Sequence, residues 1–147
     1  MFFHETKMNV LGVPSDYVIV HCISADYALG AGVAKQIERK FHVKDTLREY
    51  SMSQYVAEKG YLDLKETYVV GNIYNVVTKK YYFEKPTMND FSDAIYNLRD
   101  AIIGNSVKKI AMPRIGCGLD KLSWNMVSAE IKKIFSDIDV EIMVCYL

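Results

Sequence analysis

Met112-Pro113-Arg114-Ile115-Gly116-Cys117-Gly118-Leu119-Asp120 joins two segments of different hydrophobic period, and that junction decides the fold. Lys109-Ile110-Ala111 before it reads as the end of a buried strand. Ser123 to Phe135 after it spaces its apolar residues as an amphipathic helix does. The nonapeptide is therefore a strand-to-helix loop. Its two glycines, one residue apart, let the backbone turn tightly and approach a ligand with no Cβ in the way. Successive N–H groups in such a turn, near the positive end of the following helix, form a concavity suited to phosphate oxygens. Asp120 adds a carboxylate at the far end. A Gly-x-Gly pair alone also marks ordinary turns, so the weight comes from a second loop of the same kind earlier in the chain.

That second loop follows Tyr17-Val18-Ile19-Val20-His21-Cys22-Ile23, a near-continuous β-branched run of the kind covered on both faces in a parallel sheet. Ser24 to Val33, containing Gly30-Ala31-Gly32, leads into a helix with Val33, Ala34, Ile37 and Phe41 on one face. Around these two units the remaining chain alternates strands and helices. Phe2–Thr6 is a short first strand. Lys44–Glu58 reads as a helix closed by Gly60, polar enough to lie outside the main packing. Tyr68–Val77 is a β-rich run broken by Gly71 and ending in Thr78-Lys79-Lys80. Tyr81 to Pro86 reads as a loop packed on its own rings, with stacking on a base or ribose as the other reading. Thr87 and Asp90 resemble a capping box, ahead of a helix that faces inward through Phe91, Ala94, Ile95, Leu98 and Ile102 and stops at Gly104. Trp124, Val127, Ile131 and Ile134 are expected inside the last helix, and Val140–Cys145 is the last strand. The pattern predicts a three-layer α/β domain over 1–147 with a mixed, largely parallel sheet.

Composition narrows the function classes. The 147 residues are 50% hydrophobic and 24% charged, which excludes a disordered chain and suffices for one core. A formal net charge of zero offers no overall basic balance for nucleic acid, leaving only a local patch. Cys22, Cys117 and Cys145 are an odd set, two of them in strand-like runs, so a disulfide framework is not expected and a cytoplasmic setting is. Neither a signal peptide nor a membrane span is expected. His4 and His42 show no metal spacing, so neither a metal nor a cofactor is expected. Cys117 with His21 as base makes a nucleophile reading, against a small residue fitting a tight loop, which is the commoner case. Both glycine loops fall at the carboxyl ends of strands, where open α/β sheets bind ligands. Neither continues into a dinucleotide Gly-x-Gly-x-x-Gly or a Gly-Lys-Ser/Thr, so hydride transfer and P-loop hydrolysis have little local support.

His21-Cys22-Ile23-Ser24, Gly30-Ala31-Gly32-Val33-Ala34, Thr78-Lys79-Lys80, Lys85-Pro86-Thr87 and the Met112–Asp120 block together resemble a macrodomain. More narrowly, they resemble the branch containing the terminal ADP-ribose protein glycohydrolase, over nearly the whole chain and in the same order. The resemblance implies an ADP-ribose site. Ser24, Gly30 and Gly32 would belong to the loop around the distal ribose. Arg114, Ile115, Gly116, Cys117, Gly118 and Leu119 would hold the diphosphate. The branch's catalytic pair falls on Lys79 and Asp120. Where the family has Gly-Asp before an apolar residue to read adenine, this chain has Met8-Asn9 before Val10. The Asn9 amide oxygen can accept the same hydrogen bond without charge.

The implied chemistry cleaves an ADP-ribosyl ester between C1″ and a glutamate or aspartate side chain. An amine can attack the anomeric carbon and form a covalent intermediate, and a carboxylate beside it can move protons. Only one of Lys79 and Lys80 should reach the site, because neighbours on a strand point to opposite faces. The family position selects Lys79. Other readings are a module that binds ADP-ribose without turnover, or a hydrolase of O-acyl-ADP-ribose, ADP-ribose 1″-phosphate or ADP-ribosylated nucleic acid. The expected partners are ADP-ribose and an ADP-ribosylated protein, with a monomeric chain.

Overall fold

The computed structural model describes residues 1–118 and 120–147. In chain order the elements are β1 (Phe2–Lys7), a 3-10 turn at Val10–Gly12, β2 (Val18–Ser24), α1 (Gly32–Phe41) and α2 (Lys44–Ser51). They continue with β3 (Thr67–Val70), β4 (Ile73–Lys79), α3 (Met88–Gly104), β5 (Lys109–Met112), α4 (Trp124–Phe135) and β6 (Glu141–Tyr146). The strands form one six-stranded sheet in the order β1-β6-β5-β2-β4-β3. Every neighbouring pair is parallel except β3 on β4, a hairpin turned at Gly71.

Period-2 alternation sorts the buried side chains into two layers. Val20, Tyr74, Val76, Ile110, Met112, Ile142 and Val144 pack against α3 and α4, around Phe91, Leu98, Ile131 and Phe135. Ile19, Ile23, Ile73, Val77, Ala111 and Met143 face the other way, onto Ile37 of α1 and Leu47 of α2. Because both faces are covered, the central strands read as near-continuous apolar runs, interrupted by the buried His21 in β2 and Asn75 in β4. The result is the expected three-layer arrangement with a mixed, largely parallel sheet.

Three local expectations need correction. α2 ends at Ser51 rather than Glu58, because the Ser51 hydroxyl donates to the Arg48 carbonyl at 2.6 Å. The Met52 N–H takes Arg48 and Glu49 carbonyls, and the Gly60 N–H folds back to Ser51 O at 2.8 Å. Nor does α2 lie outside the packing: Val43, Leu47 and Ser51 are all fully buried, three anchors that a polar average conceals. Trp124 is half-buried rather than core, its ring lying 5.9 Å from the Arg114 guanidinium. The Thr87 cap is present, its hydroxyl accepting from Asp90 N–H at 3.1 Å.

Candidate active site

β2 and β5 lie side by side and end at the same edge of the sheet, so the loops that follow them, 25–31 and 113–123, meet there. Between them is a cavity of about 740 Å³, a size common for small-molecule sites. Ser24, Gly30, Gly32, Arg114, Ile115, Gly116 and Gly118 line it, and so do Lys79 and Asp120.

Local sequence explains the shape of each loop. α1 opens at Ala31, which provides no side-chain cap, and its first turn holds no acid. Gly32, Val33 and Ala34, whose N–H groups open the helix without a side-chain cap, line the cavity, the arrangement that suits an anion at a helix start. Getting there requires left-handed backbone at Tyr27 (φ 40°) and Leu29 (φ 44°), both non-glycine. Such conformations cost of order 1–3 kcal/mol each and concentrate at functional sites.

In the second loop, Gly116 has φ 76°, and a Cβ there would lie 3.1 Å from Leu122 Cδ1 and 3.2 Å from Phe91 Cε2. The positive φ favours glycine, and a side chain there would also have to displace Leu122 and Phe91. The Ile115 and Cys117 N–H groups are spent on Pro113 O and Arg114 O, and Leu122 N–H closes the loop on Gly116 O at 2.7 Å. Among the described residues the Gly116 and Gly118 N–H groups have no protein acceptor, which leaves them free for a ligand.

Lys79 is aimed by an irregularity in β4. Ile23 pairs with Val77 but Ser24 pairs with Lys79, so Thr78 is an extra residue in the ladder. Bulges bend a strand and redirect the next side chain. Lys79 Nζ consequently donates to Asp120 Oδ1 at 2.5 Å, with side chains only 14% and 13% exposed. Lys80 turns outward to Glu58 at 3.1 Å. The two lysines thus diverge, and the structure brings together the pair that the sequence separates by forty-one positions.

Other named residues sit elsewhere. Asn9 and Val10 do not line the cavity: Asn9 Oδ1 accepts from Leu11 N–H at 2.9 Å as the cap of the 3-10 turn, and Val10 is buried. Cys117 does not line the cavity: its thiol donates to Ile115 O at 3.3 Å, and burial raises its pKa. Leu119 lies outside the described residues. Arg114 lines the rim, donating to Glu5 Oε1 through Nε (3.1 Å) and Nη2 (3.0 Å) with its guanidinium 4.7 Å from the Tyr146 ring. Burial also raises the pKa of Cys22, which together with His21 supports the cavity wall. Missed from sequence was Asp26, which holds Ser24, Ala28 and Tyr82 by its carboxylate; Tyr82, in the run read as loop packing or as stacking on a base or ribose, lies on the cavity wall. The signal for Asp26 was its position two residues after Ser24 and two before Ala28, the spacing of an Asx turn.

His21 is not a base for Cys117. Its Nε2–H donates to Asn75 Oδ1 at 2.6 Å, since the Asn75 amide nitrogen is itself a donor to Tyr68 O. Nδ1 is buried without a partner, which fits a neutral ring. Burial lowers the His21 pKa from 6.5 to about 4. The unfolded chain takes up this proton near pH 6.5, whereas the folded chain refuses it until about pH 4. Stability is therefore intact above the unfolded value and falls as pH drops through that window, by about 3 kcal/mol at its acid end. Urea unfolding across the same window is expected to show the slope in wild type and a flatter one in His21→Gln. Equal slopes would mean that His21 is protonated in the fold.

No family model matches the chain. ADP-ribose glycohydrolase OARD1 of Bos taurus is 36% identical over 139 residues, covering 94% of this chain and 87% of the relative. The Homo sapiens protein of the same name is 35% identical over the same shares. The macrodomain of Mycobacterium tuberculosis DarG superposes with a TM-score of 0.86 at 17% identity, covering 99% of this chain and 98% of the other. With the three-layer sheet and both glycine loops in place, the chain belongs to the macrodomains, in the branch of the ADP-ribose glycohydrolases.

Proposed function

We propose that the chain is an ADP-ribosyl hydrolase that cleaves the bond between C1″ of the distal ribose and a glutamate or aspartate side chain. The observation that carries this reading is the Lys79–Asp120 pair, held at 2.5 Å in the wall of a cavity whose other walls are two anion-binding loops. Relatives that share a third of the sequence bear the name ADP-ribose glycohydrolase, which supports the same substrate class.

The diphosphate is expected at the free N–H groups of the α1 N-terminus and of Gly116 and Gly118. On that reading the distal ribose is expected toward Lys79. Before it can attack, the amine must give up a proton, and the Asp120 carboxylate beside it is the acceptor. Lys79 Nζ then forms a bond to C1″ as the C1″–O bond breaks, and the electron pair leaves with the substrate carboxylate. The adduct nitrogen then forms a C=N bond to C1″ as the C1″–ring-oxygen bond opens, and the proton it sheds passes to that ring oxygen, while Asp120 keeps the proton taken from Lys79 until the amine is released. Water adds to C1″ of the lysine adduct, the C–N bond breaks, and free ADP-ribose and the amine are regenerated. Loop N–H groups fixed in advance contribute by positioning, since the reacting atoms must already be close.

Release of ADP-ribose from a glutamate-modified protein tests the linkage, with O-acetyl-ADP-ribose and ADP-ribose 1″-phosphate run alongside. Fastest turnover is expected on the glutamate ester. A preference for the acetyl ester or the 1″-phosphate would replace the acceptor assigned here. Tight binding of ADP-ribose with no turnover of any of the three would make the chain a reader.

A further inference from the structure

Three residues past Lys79 the chain crosses the mouth of the cavity, where Tyr82 forms part of the wall while remaining 66% exposed. What holds this crossing in place is Asp26. Beyond the last paired residues of β2 and β4, Ala25 N–H donates to Lys79 O at 2.9 Å and Asp26 N–H to Lys80 O at 3.2 Å. The Asp26 carboxylate then continues the ladder: Oδ2 accepts from Tyr82 N–H at 3.0 Å, while Oδ1 accepts from the Ser24 hydroxyl and from Ala28 N–H at 3.3 Å. One side chain thus joins the end of β2, the first glycine loop and the aromatic segment. Behind Tyr82 the segment is braced by its own rings. Phe83 meets Tyr82 edge-on and stacks on Tyr81 at 5.4 Å and 2°.

We infer that Tyr82 is a substrate-contacting residue at the distal-ribose end of the cavity and that Asp26 is the positioning residue that sets it there. The inference rests on the reading of this site as one for ADP-ribose with Lys79 at the distal ribose. Two observations place Tyr82 at that end. It follows Lys79 by three residues, and Ser24, tied to the same carboxylate, pairs with Lys79 across the sheet. An exposed ring on a cavity wall offers a flat apolar face, and the C–H face of a sugar is a fitting partner for it. The pair would therefore favour ADP-ribose over ADP, which lacks the distal sugar.

Calorimetric titration of ADP-ribose and of ADP into wild type, Tyr82→Ala, Asp26→Asn and the double variant tests this. Asparagine keeps the size of Asp26, but its NH₂ cannot accept, so one of the two anchors is lost. Tyr82→Ala and Asp26→Asn are each expected to weaken ADP-ribose by roughly three- to tenfold and to leave ADP within about twofold. Because Asp26 acts through Tyr82, the double variant should bind no more weakly than the weaker single variant. Tyr82→Phe, which keeps the ring, should lose less ADP-ribose affinity than Tyr82→Ala.

Unchanged ADP-ribose affinity in Tyr82→Ala overturns the inference. So does equal weakening of both nucleotides, which marks general collapse of the loop, and so do additive penalties in the double variant. Wild type that binds the two nucleotides equally also overturns it. If wild type discriminates as expected but releases no ADP-ribose from modified protein, hydrolysis falls and the ribose contact stands. Wild type that binds neither nucleotide sinks both.

Discussion

Replacing Lys79 with alanine is expected to lower turnover of a glutamate-ADP-ribosylated protein by about 10²- to 10⁴-fold while moving ADP-ribose affinity by less than about threefold. On the proposed reading the two effects separate, because Lys79 stands at the reacting end and affinity is expected from the backbone donors of loops that the substitution does not touch. In free-energy terms the loss corresponds to roughly 3–5 kcal/mol of transition-state stabilisation. Lys80→Ala is the matched control. That lysine carries the same charge one residue later, yet its ammonium is 3.1 Å from Glu58 and 45% exposed, away from Asp120. It should retain turnover within about twofold of wild type, the usual scale for an exposed pair. Single-turnover kinetics with purified substrate would measure both. A Lys80→Ala loss with an active Lys79→Ala would mean that the bulge at Thr78 does not aim the lysines as described.

The second large effect concerns stability. Phe91→Ala is expected to cost about 3–5 kcal/mol, seen as a lower urea midpoint with an unchanged slope. Phe91 is fully buried in the layer between the sheet and α3 and α4, and its ring edge lies directly under Gly116. Removing it opens a cavity beneath the second glycine loop, so ADP-ribose affinity should fall as well in whatever fraction remains folded. Phe91→Leu fills part of that volume and should lose less on both measures. A cost below about 1 kcal/mol for Phe91→Ala would show that the loop does not depend on this support.

Strand and helix identity were largely legible because the buried faces impose strong periods: near-continuous apolar runs in β2 and β4, and a spacing of three and four in α3. The glycine loops were legible for the same reason, since a strand ending and a helix beginning on either side of Gly-x-Gly leave few geometries for the turn. α2 was misjudged because residues 52–58 carry no breaker, and the stop comes from Ser51 and from Gly60 folding back on it. Burial of α2 was hidden because Val43 and Leu47 are two apolar residues in a polar segment.

At the site, the sequence suggested that Lys79 and Lys80 diverge but could not say which turns inward. The bulge that decides it is a matter of sheet register. Asn9 illustrates the opposite limit. Its amide oxygen was available by composition, yet local geometry draws it to Leu11 N–H, because asparagine readily bonds to backbone two residues on. Asp26 was on view in the first glycine loop but gave no hint of reaching Tyr82, fifty-six positions away. Contacts of that range follow only from the order of the strands.

Cleavage at C1″ is the central claim, and isotope transfer tests it most directly. Wild type would be allowed to hydrolyse a glutamate-ADP-ribosylated peptide in water enriched in oxygen-18, and the released glutamate peptide weighed by mass spectrometry. Breaking the C1″–O bond leaves both original oxygens on the carboxylate, so the peptide should carry no label. A peptide heavier by one oxygen-18 would mean that water attacked the acyl carbon, and the nucleophilic role assigned to Lys79 would be contradicted.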